Sequence, residues 1–386
     1  MNEDLFYKCS EINDYLIDGD EPKARDLLIQ LLDYVGRNNI QYFPLLNSLI
    51  REVGLYPYMD VNSSEWEDAF VYNLFKADIG LNEEKVLHRE QFRLLSSLLA
   101  GKNIAVSAPT SFGKSFVIDA FIKLRKPRNV AIIVPTIALT DETRRRIYKK
   151  FANEYNIITT TDIPLAERNI FIFPQERALC YVNKIDSLDI LIVDEFYKSS
   201  KDFEKERSAS LIKAIIKLGQ IAKQKYYLAP NITKIEDNQF TKDMEFMKMD
   251  FNTVFLKVTD YYPQIGTDTQ KKGEYFLNLN RTLKGKTLIY AGSFSNITSL
   301  SNLIPISCRD FSISLALSSG LTYIYALASY GVEPFSPDSK ASLKLSPVDS
   351  IPIVKNNIRQ ITDIDKKFVL TLLFICFTIN MFNPLK

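Results

Sequence analysis

The sequence predicts an α/β fold built on a parallel sheet, and three observations carry that expectation. From about residue 85 to 250, short apolar runs alternate with helical stretches, a pattern of parallel strands covered by helices on both faces. The run Ala108-Pro109-Thr110-Ser111-Phe112-Gly113-Lys114-Ser115 fits the phosphate-binding loop pattern, with Ala108 where the first glycine usually stands. Eighty residues after Lys114, the apolar run Ile190-Leu-Ile-Val193 ends in two acids, Asp194 and Glu195. In open parallel sheets, functional residues gather at the carboxyl ends of strands, and both motifs fall there.

Residues 1–84 read as a helical accessory domain. Leu27, Leu28, Leu31, Leu32 and Val35 recur at helical spacing. Asp20-Glu21-Pro22 offers a start signal, Pro44 and Pro57 punctuate later helices, and Trp66 and the tyrosines read as core. Residues 85–258 form the α/β domain, with strand candidates Ile104–Val106, Val130–Val134, Ile170–Phe173, Ile190–Val193 and Tyr226–Leu228. A linker is expected over 259–284, where Tyr261, Tyr262, Pro263 and Gly266 stand among polar residues. The run from Lys286 to Gly292 opens a second α/β unit, and 285–386 reads as a partial or degenerate domain.

Composition narrows the chemistry. A chain of 386 residues with 46% hydrophobic and 24% charged residues is ordinary for a globular protein of two or three domains. The net charge of +2 gives no whole-molecule field toward nucleic acid, so such contact must come from a local groove. The basic stretches Lys123–Arg128 and Arg144–Lys150 read as solvated helix ends or faces. Cys9, Cys180, Cys308 and Cys376 are scattered, which argues against disulfides and zinc and for a cytoplasmic location. With His88 the single histidine, His-based metal sites and Ser-His-Asp catalysis are nearly excluded. No signal peptide is read at the N-terminus. The apolar run Phe368–Phe382 is short of the ~20 residues a membrane-spanning helix needs, so no membrane contact is expected.

The loop and the acids form one constellation. A triphosphate needs a tight loop whose backbone N–H groups converge on oxygen and which opens onto a helix N-terminus. The backbone from Ala108 to Gly113 would supply that cradle, and Lys114 would reach the β- and γ-phosphates. The Ser115 hydroxyl and the Asp194 carboxylate would hold Mg²⁺, and Glu195 would polarise the attacking water. A nucleoside triphosphate and Mg²⁺ are the implied ligands, ATP by the family resemblance that follows, with Glu195 and Lys114 the catalytic pair.

With these motifs in hand, the chain resembles the superfamily-2 DExD/H-box helicases, and further segments stand in that family's order. Arg89 and Gln91 resemble the Q-motif, which implies that Gln91 reads adenine through its amide. Val134-Pro135-Thr136-Ile137-Ala138-Leu139-Thr140-Asp141-Glu142 resembles motif Ia, and Phe173-Pro174-Gln175-Glu176-Arg177 looks like the Thr-Pro-Glu-Arg element. The resemblance implies DNA or RNA held by its backbone, with little base preference, at Pro135, Thr136, Pro174, Glu176 and Arg177. Tyr227-Leu228-Ala229-Pro230-Asn231 stands where the family has Ser-Ala-Thr, with the hydroxyls replaced. Lys286–Ser293 looks like motif IV, the opening of a second RecA-like domain. The covered stretch is about 85–305.

The acidic box Asp194-Glu195-Phe196-Tyr197 and the helical N-terminus are similar to the helicase component of bacterial antiphage systems such as Hachiman. That likeness implies a protein partner completing a defence complex. The implied fold is a RecA-like domain of parallel strands, preceded by helices and followed by an incomplete second RecA-like domain. After Arg281 only Arg309 and Arg359 remain, neither in the family's Gln-x-x-Arg-x-Gly-Arg context. The expectation is therefore a truncated or frame-shifted helicase or translocase. Two alternatives stay open: a catalytically weak ATP- and nucleic-acid-binding adaptor needing a partner chain, and a P-loop ATPase that does not act on nucleic acid.

Overall fold

The computed structural model describes residues 3–81, 83–200, 205–230, 232–255, 259–282, 286–290, 296, 299–300, 303, 311–314 and 324–328. Asn231, Gly292 and Ser293, the run 368–382, Cys308, Cys376, Arg309 and Arg359 lie outside these described residues. The chain divides into two compact units, Met1–Phe255 and Leu256–Lys386.

The first unit opens with four helices: α1 (Glu3–Ile17), α2 (Glu21–Arg37), α3 (Pro44–Val53) and α4 (Trp66–Leu74). Helix α2 starts where the sequence places it. The Asp20 side chain accepts the Lys23 N–H at 3.1 Å, and Pro22 sits in the first turn, where its missing N–H costs nothing. Helix α3 ends at Gly54 in the left-handed conformation with φ 82°. A side chain there would also meet Arg89, since an added Cβ would lie 2.7 Å from the Arg89 Cβ. Leu28, Leu31, Leu32 and Val35 are buried, as their spacing implies. Trp66 is not core: it is 75% exposed, on one stripe with the exposed Phe70 and Leu74. It is the first residue of α4, and the i, i+4, i+8 spacing carries all three along one solvent-facing side.

A short antiparallel hairpin, β1 (Lys76–Asp78) with β2 (Glu84–Val86), leads to α5 (Arg89–Leu99). The sheet then follows as β3 (Ile104–Ser107), α6 (Lys114–Arg125), β4 (Asn129–Ile133), α7 (Ile137–Phe151), β5 (Asn156–Ile158), β6 (Asn169–Phe173), α8 (Gln175–Tyr181), β7 (Ile190–Val193), α9 (Lys205–Ile221), β8 (Lys225–Ala229) and β9 (Glu245–Lys248). Its seven strands run in the order β5-β6-β4-β7-β8-β3-β9, every pairing parallel. All five expected strands are present, and β5 and β9 close the two edges.

Successive residues of a strand point to opposite faces, so each strand feeds two cores. Ile104, Val106, Ile132, Ile170, Ile192 and Leu228 pack with α5, α6 and α7. Ala105, Ile133, Phe173, Leu191, Val193 and Tyr227 pack with α8 and α9. The first of these cores is continuous with Leu5, Leu28, Leu46 and Ile50, so the N-terminal helices and one sheet face share a single interior.

The second unit contains α10 (Tyr262–Ile265) and α11 (Thr269–Thr282), which occupy much of the segment expected as linker. The strand expected at Lys286 is β10 (Lys286–Tyr290). With β11 (Phe311–Ser314) and β12 (Ile324–Ala328) it forms an antiparallel sheet in the order β10-β12-β11, unlike the parallel pairing of the large sheet. Among the described residues, no helix is long and apolar enough to cross a membrane.

Candidate active site

The loop after β3 is fixed at both ends. The Ala108 N–H donates to the Ala229 carbonyl at 3.0 Å, which ties the loop to the end of β8. Phe112 is fully buried and pins the middle. Gly113 has φ 75°, the left-handed region that favours glycine, and a Cβ there would lie 2.7 Å from Gln91 Nε2. Directly after Gly113 the chain enters α6, so Lys114 and Ser115 occupy its first turn.

Lys114 Nζ donates to the loop's own carbonyls, those of Ala108 at 2.9 Å and Pro109 at 3.0 Å. Burial lowers the Lys114 pKa, against the opposing pull of Asp194 and Glu195. The parallel order β7-β8-β3 puts the loop lysine and the two acids that follow β7 at the same end of the sheet. The Asp194 N–H donates to the Ile133 carbonyl at 2.9 Å, extending the β4–β7 ladder by one residue. Burial raises the Asp194 pKa. The Glu195 N–H, donating to Asp194 Oδ1 at 2.9 Å, opposes this, as do the charges of Lys114 and Arg146, while the Glu195 carboxylate adds to it.

Glu195 has φ 50°, a conformation that costs energy for a residue with a side chain and is found at turns and active sites. Its carboxylate pairs with Lys198 Nζ at 2.6 Å. Among the described residues, no lysine or arginine forms an ion pair with Asp194, so the charge of its half-buried carboxylate is met by a backbone N–H and not by a paired cation. A divalent cation would supply that pairing. The hydroxyl of Ser115 and the carboxylate of Asp194 are the hard oxygen donors that Mg²⁺ takes.

Gln91 reaches this loop from α5. Its Oε1 accepts the His88 N–H at 2.9 Å, and its Nε2 donates to the Phe112 carbonyl at 2.6 Å. Both ends of the buried amide are thus occupied by backbone.

The two candidate nucleic-acid segments lie at the ends of β4 and β6. Thr136 is 3% exposed, and its hydroxyl caps α7 by accepting the Leu139 N–H at 3.2 Å. Pro135 and Pro174 are buried, Glu176 is exposed, and Arg177 Nη1 donates to the Thr159 carbonyl at 2.6 Å. Sequence reasoning did not single out Arg207 of α9. Its Nη2 donates to the Pro135 carbonyl at 2.6 Å and its Nε pairs with Glu176 at 3.0 Å, so one guanidinium ties the two loops together. It follows Lys205 and Glu206 in a charged run at the start of α9 and carries no motif.

Arg146 departs from the expected solvated face. It donates to the Ser115 carbonyl at 3.2 Å and, with Lys150, pairs with the fully buried Asp119 of α6. Burial lowers its pKa to about 10. The signal was available in Asp119, a charge in the middle of an otherwise apolar helix.

Two stretches of the chain match known families. Residues 88–228 match the DEAD/DEAH box helicase family model, and residues 1–69 match that of the anti-bacteriophage protein B N-terminal domain. The chain is 30% identical over 263 residues to anti-bacteriophage protein B of Escherichia coli strain K12. That match covers 64% of this chain and 35% of the relative, so the chain spans about a third of the relative's length. Among solved structures, the Sulfolobus solfataricus SWI2/SNF2 ATPase core in complex with dsDNA is 12% identical, with a TM-score of 0.34 over 60% of this chain and 59% of that one. A hypothetical ATP-dependent RNA helicase from Sulfolobus tokodaii is 19% identical, with a TM-score of 0.33 over 55% of this chain and 66% of that one. Both are loose likenesses, and the fold rests on the strand order itself. The chain is thus similar to the DEAD/DEAH box helicases over residues 88–228 and to the anti-bacteriophage protein B N-terminal domain over residues 1–69.

Proposed function

We propose that this chain binds and hydrolyses ATP with Mg²⁺ at the loop Ala108–Ser115 and the acids Asp194 and Glu195, and that turnover is coupled to movement along, or opening of, DNA or RNA. The observation that carries the reading is that the loop after β3 and the acids after β7 stand at the same end of one parallel sheet, with only β8 between their strands. In this reading Lys114 leaves the Ala108 and Pro109 carbonyls to meet the phosphates, which offer it charge instead of neutral oxygen. Glu195 takes the proton of the attacking water. Ser115 and Asp194 hold Mg²⁺, which offsets charge on the phosphate oxygens when bound.

Nucleic acid lies against the loops at the ends of β4 and β6, whose spacing Arg207 fixes. The relative's name supports a role in defence against bacteriophage. ATP turnover measured with and without single-stranded DNA tests the reading. Turnover stimulated by DNA is expected. ATP binding without turnover would favour an adaptor instead, and turnover indifferent to DNA would favour an ATPase with another substrate.

A further inference from the structure

Two adjacent carbonyls of the phosphate loop are held from outside the loop. Gln91 Nε2 donates to that of Phe112 at 2.6 Å, and Thr253 Oγ1 donates to that of Ser111 at 3.0 Å. A peptide unit is planar and trans, so fixing its carbonyl also fixes the direction of the N–H across the bond. The Thr253 bond thereby orients the Phe112 N–H, which donates to the Pro109 carbonyl at 3.1 Å, and the Gln91 bond orients that of Gly113. The first N–H closes the loop's own turn, and the second belongs to the cradle that would face phosphate.

Thr253 follows β9 in the segment 249–253, and the N-terminal helical region grips that segment. The Tyr58 hydroxyl donates to the Thr253 carbonyl at 3.1 Å. Arg25 of α2 donates to the Asp250 carbonyl at 2.5 Å, with its guanidinium 4.5 Å from the centre of the Phe251 ring. Phe251 lies against His88 at 5.6 Å between ring centres, and His88 against Tyr58 at 5.7 Å.

Arg25 is 4% exposed, and among the described residues no carboxylate forms an ion pair with it. Burying a cation without an ion-pair partner costs stability, and the Asp250 carbonyl and the Phe251 ring offset part of that cost. Arg25 holds this segment.

We propose that residues 249–253 are a strap through which the N-terminal helical region positions the phosphate loop, with Thr253 as the positioning residue for nucleotide phosphate. The inference rests on reading that loop as an ATP site. It makes ATP affinity depend on whether the N-terminal helices are docked on the strap, so anything that shifts those helices changes nucleotide binding through Thr253.

Equilibrium binding of a fluorescent ATP analogue with Mg²⁺ tests it, on the parent chain and on T253V, T253S, Y58F, the T253V/Y58F double variant and K114A. Loss of one hydrogen bond to the loop should weaken binding about three- to tenfold in T253V, and T253S should restore it to within about twofold. Y58F should weaken binding in the parent but add nothing in the T253V background, because its effect passes through the Thr253 hydroxyl. Parent-like binding by T253V, failure of T253S to restore it, or independent effects of the two substitutions would overturn the strap. If the parent does not bind the analogue, or K114A binds it equally well, the ATP reading falls and takes the strap with it. Binding lost in K114A but unchanged in T253V overturns the strap alone.

Discussion

His88 shows how a single side chain couples packing to pH. It is the chain's one histidine, buried between Tyr58 and Phe251, and burial lowers its pKa from 6.5 to about 4. The Gly54 carbonyl pulls the other way and Arg25 adds to the fall. The folded state therefore binds this proton less readily than the unfolded chain. Stability on this account is full above pH 6.5 and is lost as pH falls from 6.5 toward 4. The fall corresponds to roughly 3 kcal/mol when the window is crossed. Urea denaturation of the parent and His88→Gln at pH 7 and pH 4.5 isolates the effect. The parent should lose roughly 2–3 kcal/mol more than the variant over that range, and equal losses would contradict a buried neutral histidine.

At the scale of elements, α6 and α7 are joined by charge as well as by apolar contact. Asp119 is fully buried between Arg146 and Lys150, and Arg146 also holds the first turn of α6 through the Ser115 carbonyl. Removing the acid leaves two cations without their partner inside the fold. Asp119→Ala should destabilise by about 3–5 kcal/mol, the range for breaking a buried ion pair from one side. A loss below about 1 kcal/mol in chemical denaturation would mean that water already reaches the cluster. The neighbouring cap is a smaller matter, since Thr136 satisfies one N–H of α7.

Elements also show where the sequence was readable. Strands β3, β4, β6, β7 and β8 are buried on both faces, so they stand out as unbroken apolar runs. The edge strands β5 and β9 are three and four residues long, and β9 mixes charged and apolar side chains. Runs that short look like loop until the sheet recruits them.

At the scale of the molecule, the loop Ala108–Ser115 and the acids Asp194 and Glu195 stood out in the sequence because the chemistry proposed for them forces residue types into a fixed local spacing. Arg207 and Thr253 did not, because each acts by contact across the fold, with Pro135 and Ser111 respectively, and a single arginine or threonine leaves no trace in spacing. Trp66 misled for a related reason: aromatic residues are usually interior, and only the packing of α4 shows this one outside. The shared core of the N-terminal helices and the sheet was hidden too, since it joins Leu5 to Phe251. A separate accessory domain is what such a sequence suggests, and a common interior is what makes the strap between Arg25 and Ser111 a physical connection.

The account's central claim is that the loop Ala108–Ser115 and the acids of β7 are one nucleotide site, and equilibrium ATP binding by three chains tests it most directly. In the presence of Mg²⁺, the parent and Glu195→Gln should bind ATP with equal affinity within about twofold, because the carboxamide keeps the shape of the side chain and binding needs no base. Only the parent should turn ATP over. Lys114→Ala should weaken binding at least about a hundredfold, having lost the one charge that the loop offers the phosphates. Undiminished binding by Lys114→Ala would contradict the claim.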